Sequence, residues 1–229
     1  MLTFQQIHTI NNDENGCFLL HDDDLQKVEA FSDFTNRYYS LMPTPTAPTL
    51  LISGIPMHRI KDTDPVRDTE QKIKALGKPY GTILDTATGL GYTAIGAART
   101  ASRVLTIELD PAVIRICRVN PWSGELFDNP NISMLIGDTY DLANIFKDET
   151  FNAIIHDPPT FNLGGHLYSQ SLYQVFYRIL KSNGRVFHYI GNPDSRSGAT
   201  TGRGVVDRLR QSGFTVTPKA PAYGVLGKK

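Results

Sequence analysis

Apolar positions in the later two-thirds of the chain switch between two spacings. Short apolar runs at Thr82–Asp85, Arg103–Glu108, Ile132–Ile136, Phe151–His156 and 185–190 have strand length and are rich in valine and isoleucine. Between them lie segments of helical spacing, at 92 to about 101, after Asp110-Pro111, and at about 140–146 and 169–180. The last of these puts Leu172, Val175, Phe176, Ile179 and Leu180 on one face, and Asn183-Gly184 reads as its stop. Asp110 is an N-cap before a proline at the first helical position. A helix over 202–211, closed by Gly213, precedes strands at 214–217 and 223–226. Strands joined by crossover helices predict a parallel sheet, and the short 218–222 connection predicts a terminal hairpin. The expected fold is α/β: a Rossmann-like doubly wound seven-stranded sheet with a terminal antiparallel hairpin, plus a small N-terminal extension.

The first 76 residues are patterned differently. Residues 4–10 and 17–21 flank Asn11-Asn12-Asp13-Glu14-Asn15-Gly16 and read as strand, turn and strand. Leu25, Val28, Phe31 and Phe34 have the spacing of a short helix. The three prolines of 41–48 predict an extended connector, and 50–55 a strand. Asp64-Pro65 opens a helix with Val66, Ile73 and Leu76 facing inward and Gly77 as its stop. Residues 1–76 are expected to form a cover over the ligand site of a domain spanning 77–229.

Composition narrows the function. Lysine plus arginine equals aspartate plus glutamate, 23 each, with no basic cluster. That balance argues against a large nucleic-acid footprint and leaves room for a small RNA contact. The two cysteines, Cys17 and Cys117, lack metal-ligand spacing and suit a reducing compartment. No apolar run reaches membrane-span length and the N-terminus lacks signal-peptide character, so a cytoplasmic protein is expected. The pattern leaves self-association open.

The chemistry concentrates at strand ends, where open α/β sheets bind ligands. The first strand ends on Asp85 and runs through Thr86-Ala87-Thr88-Gly89-Leu90-Gly91 into a helix; the second ends on Glu108. Glycines let backbone approach a ligand, and an acid after the second strand can accept from a ribose diol. The spacing Gly-x-Gly-x-x-Ala also suits dinucleotides. Asp85 tips the balance: a carboxylate there repels a pyrophosphate but would face the ammonium and sulfonium of S-adenosylmethionine (SAM). Leu109 is a candidate apolar contact for adenine, and Asp138 either accepts from the adenine amine or caps a helix. The fourth strand runs into His156-Asp157-Pro158-Pro159-Thr160-Phe161. Prolines fix the backbone there, so Asp157 beside rigid carbonyls can hold an amine and later take its proton. His156 and Tyr168 are further catalytic candidates, and Arg59 is a candidate partner for a carboxylate. His156, Asp157, His166 and His188 match no strong metal-binding spacing, and no metal is expected.

With these residues the chain resembles the class I SAM-dependent methyltransferases, over roughly Asp64 to the C-terminus. The resemblance rests on Asp85 through Gly91, on Glu108 and on Asp157-Pro158-Pro159. More narrowly the chain is similar to a group of predicted archaeal methyltransferases. That similarity is carried by Ile52-Ser53-Gly54-Ile55-Pro56-Met57-His58-Arg59, Thr63-Asp64-Pro65, Leu90-Gly91-Tyr92-Thr93-Ala94, Asn120-Pro121-Trp122, His156-Asp157-Pro158-Pro159 and Phe187-His188-Tyr189. The resemblance implies SAM as cofactor and does not name the acceptor. Amino-methylating members place an aromatic directly after the prolines; here Thr160 holds that place and Phe161 follows. No cysteine lies at a strand end, which argues against covalent pyrimidine methylation. Ile107-Glu108-Leu109-Asp110-Pro111 and Leu167-Tyr168-Ser169-Gln170-Ser171-Leu172-Tyr173 resemble segments of polyamine aminopropyltransferases, which use decarboxylated SAM. Those enzymes carry an acid inside the first glycine loop, and this chain has none. The expected function is methyl transfer to a nitrogen of a small molecule, protein side chain or RNA base. Aminopropyl transfer of the spermidine-synthase type, or a non-catalytic SAM- or NAD-binding module, stand as alternatives.

Overall fold

The computed structural model describes residues 2–229. The N-terminal part comprises α1 (Phe4–Asn11), β1 (Phe18–His21), β2 (Asp24–Lys27), β3 (Glu29–Ser32), β4 (Arg37–Met42), β5 (Thr49–Ile52), β6 (Ile55–Pro56) and α2 (Pro65–Leu76). Strands β1 and β2 form a separate hairpin, and β3 to β6 form a four-stranded antiparallel sheet in sequence order.

Two expectations for this region are corrected. Residues 4–10 are helical rather than extended because Thr3 and Gln6 form a reciprocal capping box. The helix proposed around Leu25–Phe34 is instead two strands. Asp22 and Asp23 both take positive φ, at 47° and 67°, and fold β1 directly onto β2 with His21 opposite Asp24. The α2 helix forms as expected, with Asp64 accepting from the Val66 and Arg67 amides. Its inward face differs. Val66 is exposed, whereas Asp68 and Lys72 are buried.

The second part runs β7 (Thr82–Asp85), α3 (Tyr92–Ala98), β8 (Arg103–Glu108), α4 (Pro111–Val119), α5 (Glu125–Asp128), β9 (Ile132–Ile136), α6 (Thr139–Ile145), β10 (Phe151–His156), α7 (Phe161–Gly164), α8 (Gln170–Ile179), β11 (Leu180–Tyr189), α9 (Arg196–Gln211), β12 (Thr215–Lys219) and β13 (Gly224–Lys228). The seven strands lie in the order β12-β13-β11-β10-β7-β8-β9. Pairs from β9 through β11 are parallel, and β13 is antiparallel to both neighbours. This is the expected doubly wound sheet with its terminal hairpin. Side chains alternate between its faces. Ile83, Val104, Ile155 and Phe187 join a core with Ala75 and Leu76 of α2, α3, α4 and the N-terminal sheet. Leu84, Ile154 and Val186 join a second core with α8 and α9.

The Asn183-Gly184 stop is displaced. The helix ends at Ile179, Leu180 already pairs with Phe151, and the chain bulges before Arg185 rejoins opposite Ala153. Asn183, at φ 63°, supplies the bulge conformation. The last helix begins earlier than the 202–211 pattern predicts because Ser195 caps it through the Gly198 amide. Among the described residues no helix is long and apolar enough to cross a membrane.

Candidate active site

The chain leaves β7 in one direction for β8 and β9, then returns to place β10 on the other side of β7. A cleft opens at such a switch point beyond the strand ends. Here Thr86 bonds across it, its amide donating to the Ile155 carbonyl at 3.0 Å.

The turn after β7 is tied to the end of β8. The Thr88 amide donates to Ile107 O at 2.9 Å, and the Gly89 amide donates to Glu108 Oε2 at 2.9 Å. Glu108 Oε1 accepts from the Asp110 amide. Gly89 has φ 51°, and a Cβ placed on it would meet nothing within 4 Å, so its backbone is bare toward the cavity. Gly91, at φ 80°, serves packing instead: a Cβ there would press on Leu126 at 3.0 Å. Burial pushes the Glu108 carboxyl up to about 7, against the backbone bonds from Asp110, Gly89 and Leu109 that favour its charge.

Thr86, Gly89, Glu108, Leu109, Asp138 and Asp157 all line one cavity, together with Pro158 and Pro159. Of the two readings offered for Asp138, the structure shows the helix cap. Asp138 caps α6 through the Tyr140 amide at 2.8 Å, and its other oxygen meets His166 Nε2 at 2.9 Å. The opposite wall comes from the N-terminal sheet, with Tyr39, Leu50, Ile52, Met57 and His58. That sheet is fastened to the rim. Thr35 and Tyr39 hydroxyls donate to Asp110 at 2.6 and 2.9 Å, and Arg37 donates to Leu163 O at 2.8 Å.

Asp157 sits at the cavity edge, and Lys72 of α2 donates to its Oδ2 at 2.6 Å. The same ammonium lies 2.8 Å from Asp68 Oδ2, and Arg59 bonds the other oxygen of Asp68. Lys72 is 2% exposed and its nitrogen lies 4.6 Å from the centre of the Tyr189 ring. Burial raises the Asp157 carboxyl, opposed by Lys72. Burial alone would lower the Lys72 ammonium, but Asp157 and Asp68 together hold it above its ordinary value. Asp68 is held below the ordinary carboxylate value despite its burial, by Lys72 and Arg59.

Besides Gly91, four sequence candidates stand off the cavity lining. Asp85 is fully buried beneath the glycine turn, accepting from Thr93 at 3.0 Å and Thr106 at 2.6 Å. It does not line the cavity, and burial raises it to about 7. His156 points into the sheet rather than the cleft, bonded to Thr86 Oγ1 at 2.6 Å and Leu167 O at 2.8 Å. Its ring packs against Phe176 and His188, and burial lowers it to about 4, so it is neutral near pH 7. Tyr168 donates to the Pro159 carbonyl at 3.0 Å and holds the proline loop from behind. Arg59 faces away from the cavity, spending its donors on Asp68, Gln71 and Pro221 O, with its guanidinium 4.3 Å from the centre of the Tyr223 ring. No group of three or more metal-ligating side chains gathers among the described residues.

The sequence reading missed Arg37 and Lys72. Asp68 and Lys72 look like an ordinary solvated i,i+4 pair. Only the contact with Asp157, 85 residues away, makes Lys72 part of the site.

No protein-family model matches the chain. Its fold is shared with a spermidine synthase of Thermotoga maritima, at TM-score 0.69 and 18% identity, over 94% of this chain and 79% of that one. A candidate S-adenosyl-L-methionine-dependent methyltransferase of Methanococcus maripaludis matches at TM-score 0.51 and 18% identity, over 72% of this chain and 85% of that one. In sequence, polyamine aminopropyltransferase 2 of Streptomyces coelicolor is 28% identical over 130 residues, 53% of this chain and 24% of that protein. The uncharacterized protein MJ1233 of Methanocaldococcus jannaschii is 43% identical over 231 aligned residues, all of this chain and 78% of that protein. The chain therefore belongs to the family of MJ1233, built on the fold that SAM-dependent methyltransferases and spermidine synthases share.

Proposed function

We propose that the chain is a methyltransferase that uses SAM and methylates a nitrogen held at Asp157. The observation that carries this reading is the state of Asp157. Its Oδ2 is fixed by Lys72, no bond to its Oδ1 is recorded among the described residues, and the two prolines that follow line the same cavity. An N–H group can donate to that oxygen while its lone pair faces the cavity. Displacement of this kind needs a positioned neutral nucleophile and little else.

The cavity suits the donor. Glu108 retains lone pairs for a ribose diol, Gly89 lets the ligand approach the backbone, and Leu109 offers an apolar wall. Acids outnumber guanidinium and ammonium groups on the lining, with Glu108, Asp110, Asp138 and Asp157 against Arg37. Such a surface favours a cationic ligand. Bound SAM supplies an electrophilic methyl on a sulfonium. As nitrogen bonds to that carbon, the carbon–sulfur pair leaves with sulfur. Asp157 then accepts the proton shed by nitrogen and passes it to water. His156 takes no part, being committed on both ring nitrogens. The N-terminal sheet walls the cavity and would limit water's access.

Aminopropyl transfer is the second reading, favoured by the acid-rich lining and by the fold match that includes the N-terminal sheet. Against it, the glycine turn holds no carboxylate, and Asp85 beneath it is occupied by two threonines. A donor ending in a bare ammonium would find hydroxyls there. The test offers the protein SAM and decarboxylated SAM separately in calorimetry. Binding of SAM at lower concentration than decarboxylated SAM supports methyl transfer; the reverse order supports aminopropyl transfer.

A further inference from the structure

We infer that Lys72 is a positioning residue that fixes one oxygen of Asp157 and leaves the other free for the acceptor, so that helix α2 completes the active site built at the sheet. The inference deepens the proposed reaction and rests on Asp157 acting there.

A lone lysine on a surface helix would extend into water. Lys72 does the opposite: its side chain is 1% exposed and its ammonium lies between two carboxylates, at 2.6 Å from Asp157 and 2.8 Å from Asp68. Asp68 is itself fully buried and held from behind by Arg59. Arg59 reaches the Pro221 carbonyl and lies over Tyr223, next to β13. The chain of alternating charge thus runs from the C-terminal hairpin through α2 to the end of β10. Two cations face two anions, so the group is neutral as a whole, and removing one member leaves its neighbour uncompensated.

The arrangement has a chemical consequence. Burial and the nearby Asp68 carboxylate favour the protonated form of Asp157; Lys72, with a smaller contribution from Arg59, opposes them. The other titratable groups facing it are Asp85 across the switch point and the phenols of Tyr168 and Tyr189. Those phenols are raised above their ordinary value by burial, so they contribute no charge near neutrality. Lys72 is the nearest cation. With it, Oδ2 is engaged and the free oxygen can accept from an amine. Without it, a protonated Asp157 becomes a donor, mismatched to the N–H it must receive. The Lys72 ammonium also lies over the Tyr189 ring, 4.6 Å from its centre, a third contact beside the two carboxylates.

The test compares wild type, Lys72→Met and Lys72→Arg. Carbon-13 NMR follows the Asp157 carboxyl, assigned by its loss in Asp157→Asn, between about pH 5 and pH 9. Lys72→Met should raise the Asp157 pKa by about 1–3 units, and Lys72→Arg should restore most of the shift. Affinity for S-adenosylhomocysteine should stay within about threefold in both, a difference of only ~0.7 kcal/mol. In methyl transfer to cell-extract acceptors, the acidic limb of the pH–rate profile should move upward with the NMR value. An unmoved Asp157 titration in a folded Lys72→Met overturns the inference. If wild type transfers nothing, the proposed function fails, yet the NMR titration still decides what Lys72 does. Should Lys72→Met not fold, nitrogen-15 NMR of the Lys72 ammonium decides. A resonance unchanged by Asp157→Asn contradicts the pairing, and a shifted one supports it.

Discussion

The amide of Gly89 donates to Glu108 Oε2 at 2.9 Å, so the acid ending the second strand is tied directly to the glycine turn. Glu108 consequently shapes the turn as well as facing the cavity. Glu108→Ala should weaken S-adenosylhomocysteine binding by about 1–3 kcal/mol, the usual cost of losing a charged hydrogen-bond partner. Glu108→Gln, which keeps one accepting oxygen, should lose less. Calorimetry on the folded variants checks this, and unchanged affinity in the alanine variant contradicts the assignment.

Asp85 should reveal itself through stability rather than binding. Burial raises its carboxyl to about 7, whereas an unfolded chain ionises near its ordinary value of about 4. Between those values the folded protein holds a proton that the unfolded chain has lost. Wild-type stability contributed by this group therefore falls as pH rises through the window. Asp85→Asn removes that dependence. The variant's stability relative to wild type should climb from about pH 4 to pH 7, at up to about 1.4 kcal/mol per pH unit. Urea denaturation at several pH values measures it, and a flat difference would mean that Asp85 is ionised in the folded state.

Arg59 belongs to the buried charge chain and not to the ligand wall. Arg59→Ala should cost about 3 kcal/mol of stability by uncovering Asp68, while leaving SAM affinity almost unchanged. A variant that lost SAM binding at an unaltered denaturation midpoint would return Arg59 to the cofactor site.

Tyr168 acts on the proline loop through one hydrogen bond, to the Pro159 carbonyl. Tyr168→Phe should preserve donor affinity and lower transfer by about tenfold, because a slightly misplaced acceptor loses rate before it loses binding. Equal loss of both would place the phenol against the donor instead.

The parts of this fold that the sequence revealed share a physical cause. Strands β7, β8, β10 and β11 are covered on both faces, so their apolar runs are nearly continuous. The N-terminal strands are covered less evenly. Phe31 and Phe34 remain exposed, and their helical spacing with Leu25 and Val28 carried no structural meaning. Thr3 and Gln6 did carry a helix-capping signal for α1. Within the site, Glu108, Leu109, Asp138 and Asp157 were legible because strand ends point at the cleft. His156 was misjudged because neighbours along a strand face opposite ways: it enters the aromatic cluster beneath the sheet while Asp157 reaches the cavity. Lys72 and Arg37 were invisible, since each owes its place to contacts far along the chain, 85 residues for Lys72 and 126 for Arg37.

The central claim is transfer of a methyl group to a nitrogen held at Asp157. Its most direct test incubates wild type and Asp157→Ala with SAM or decarboxylated SAM and a pool of cell-extract acceptors, and reads the products by mass. The account predicts products heavier by one methyl from SAM with wild type. Asp157→Ala should form them about two to four orders of magnitude more slowly, the range for losing positioning and proton acceptance together, with SAM affinity nearly intact. Products heavier by one aminopropyl group from decarboxylated SAM, or transfer at the wild-type rate by Asp157→Ala, would contradict it.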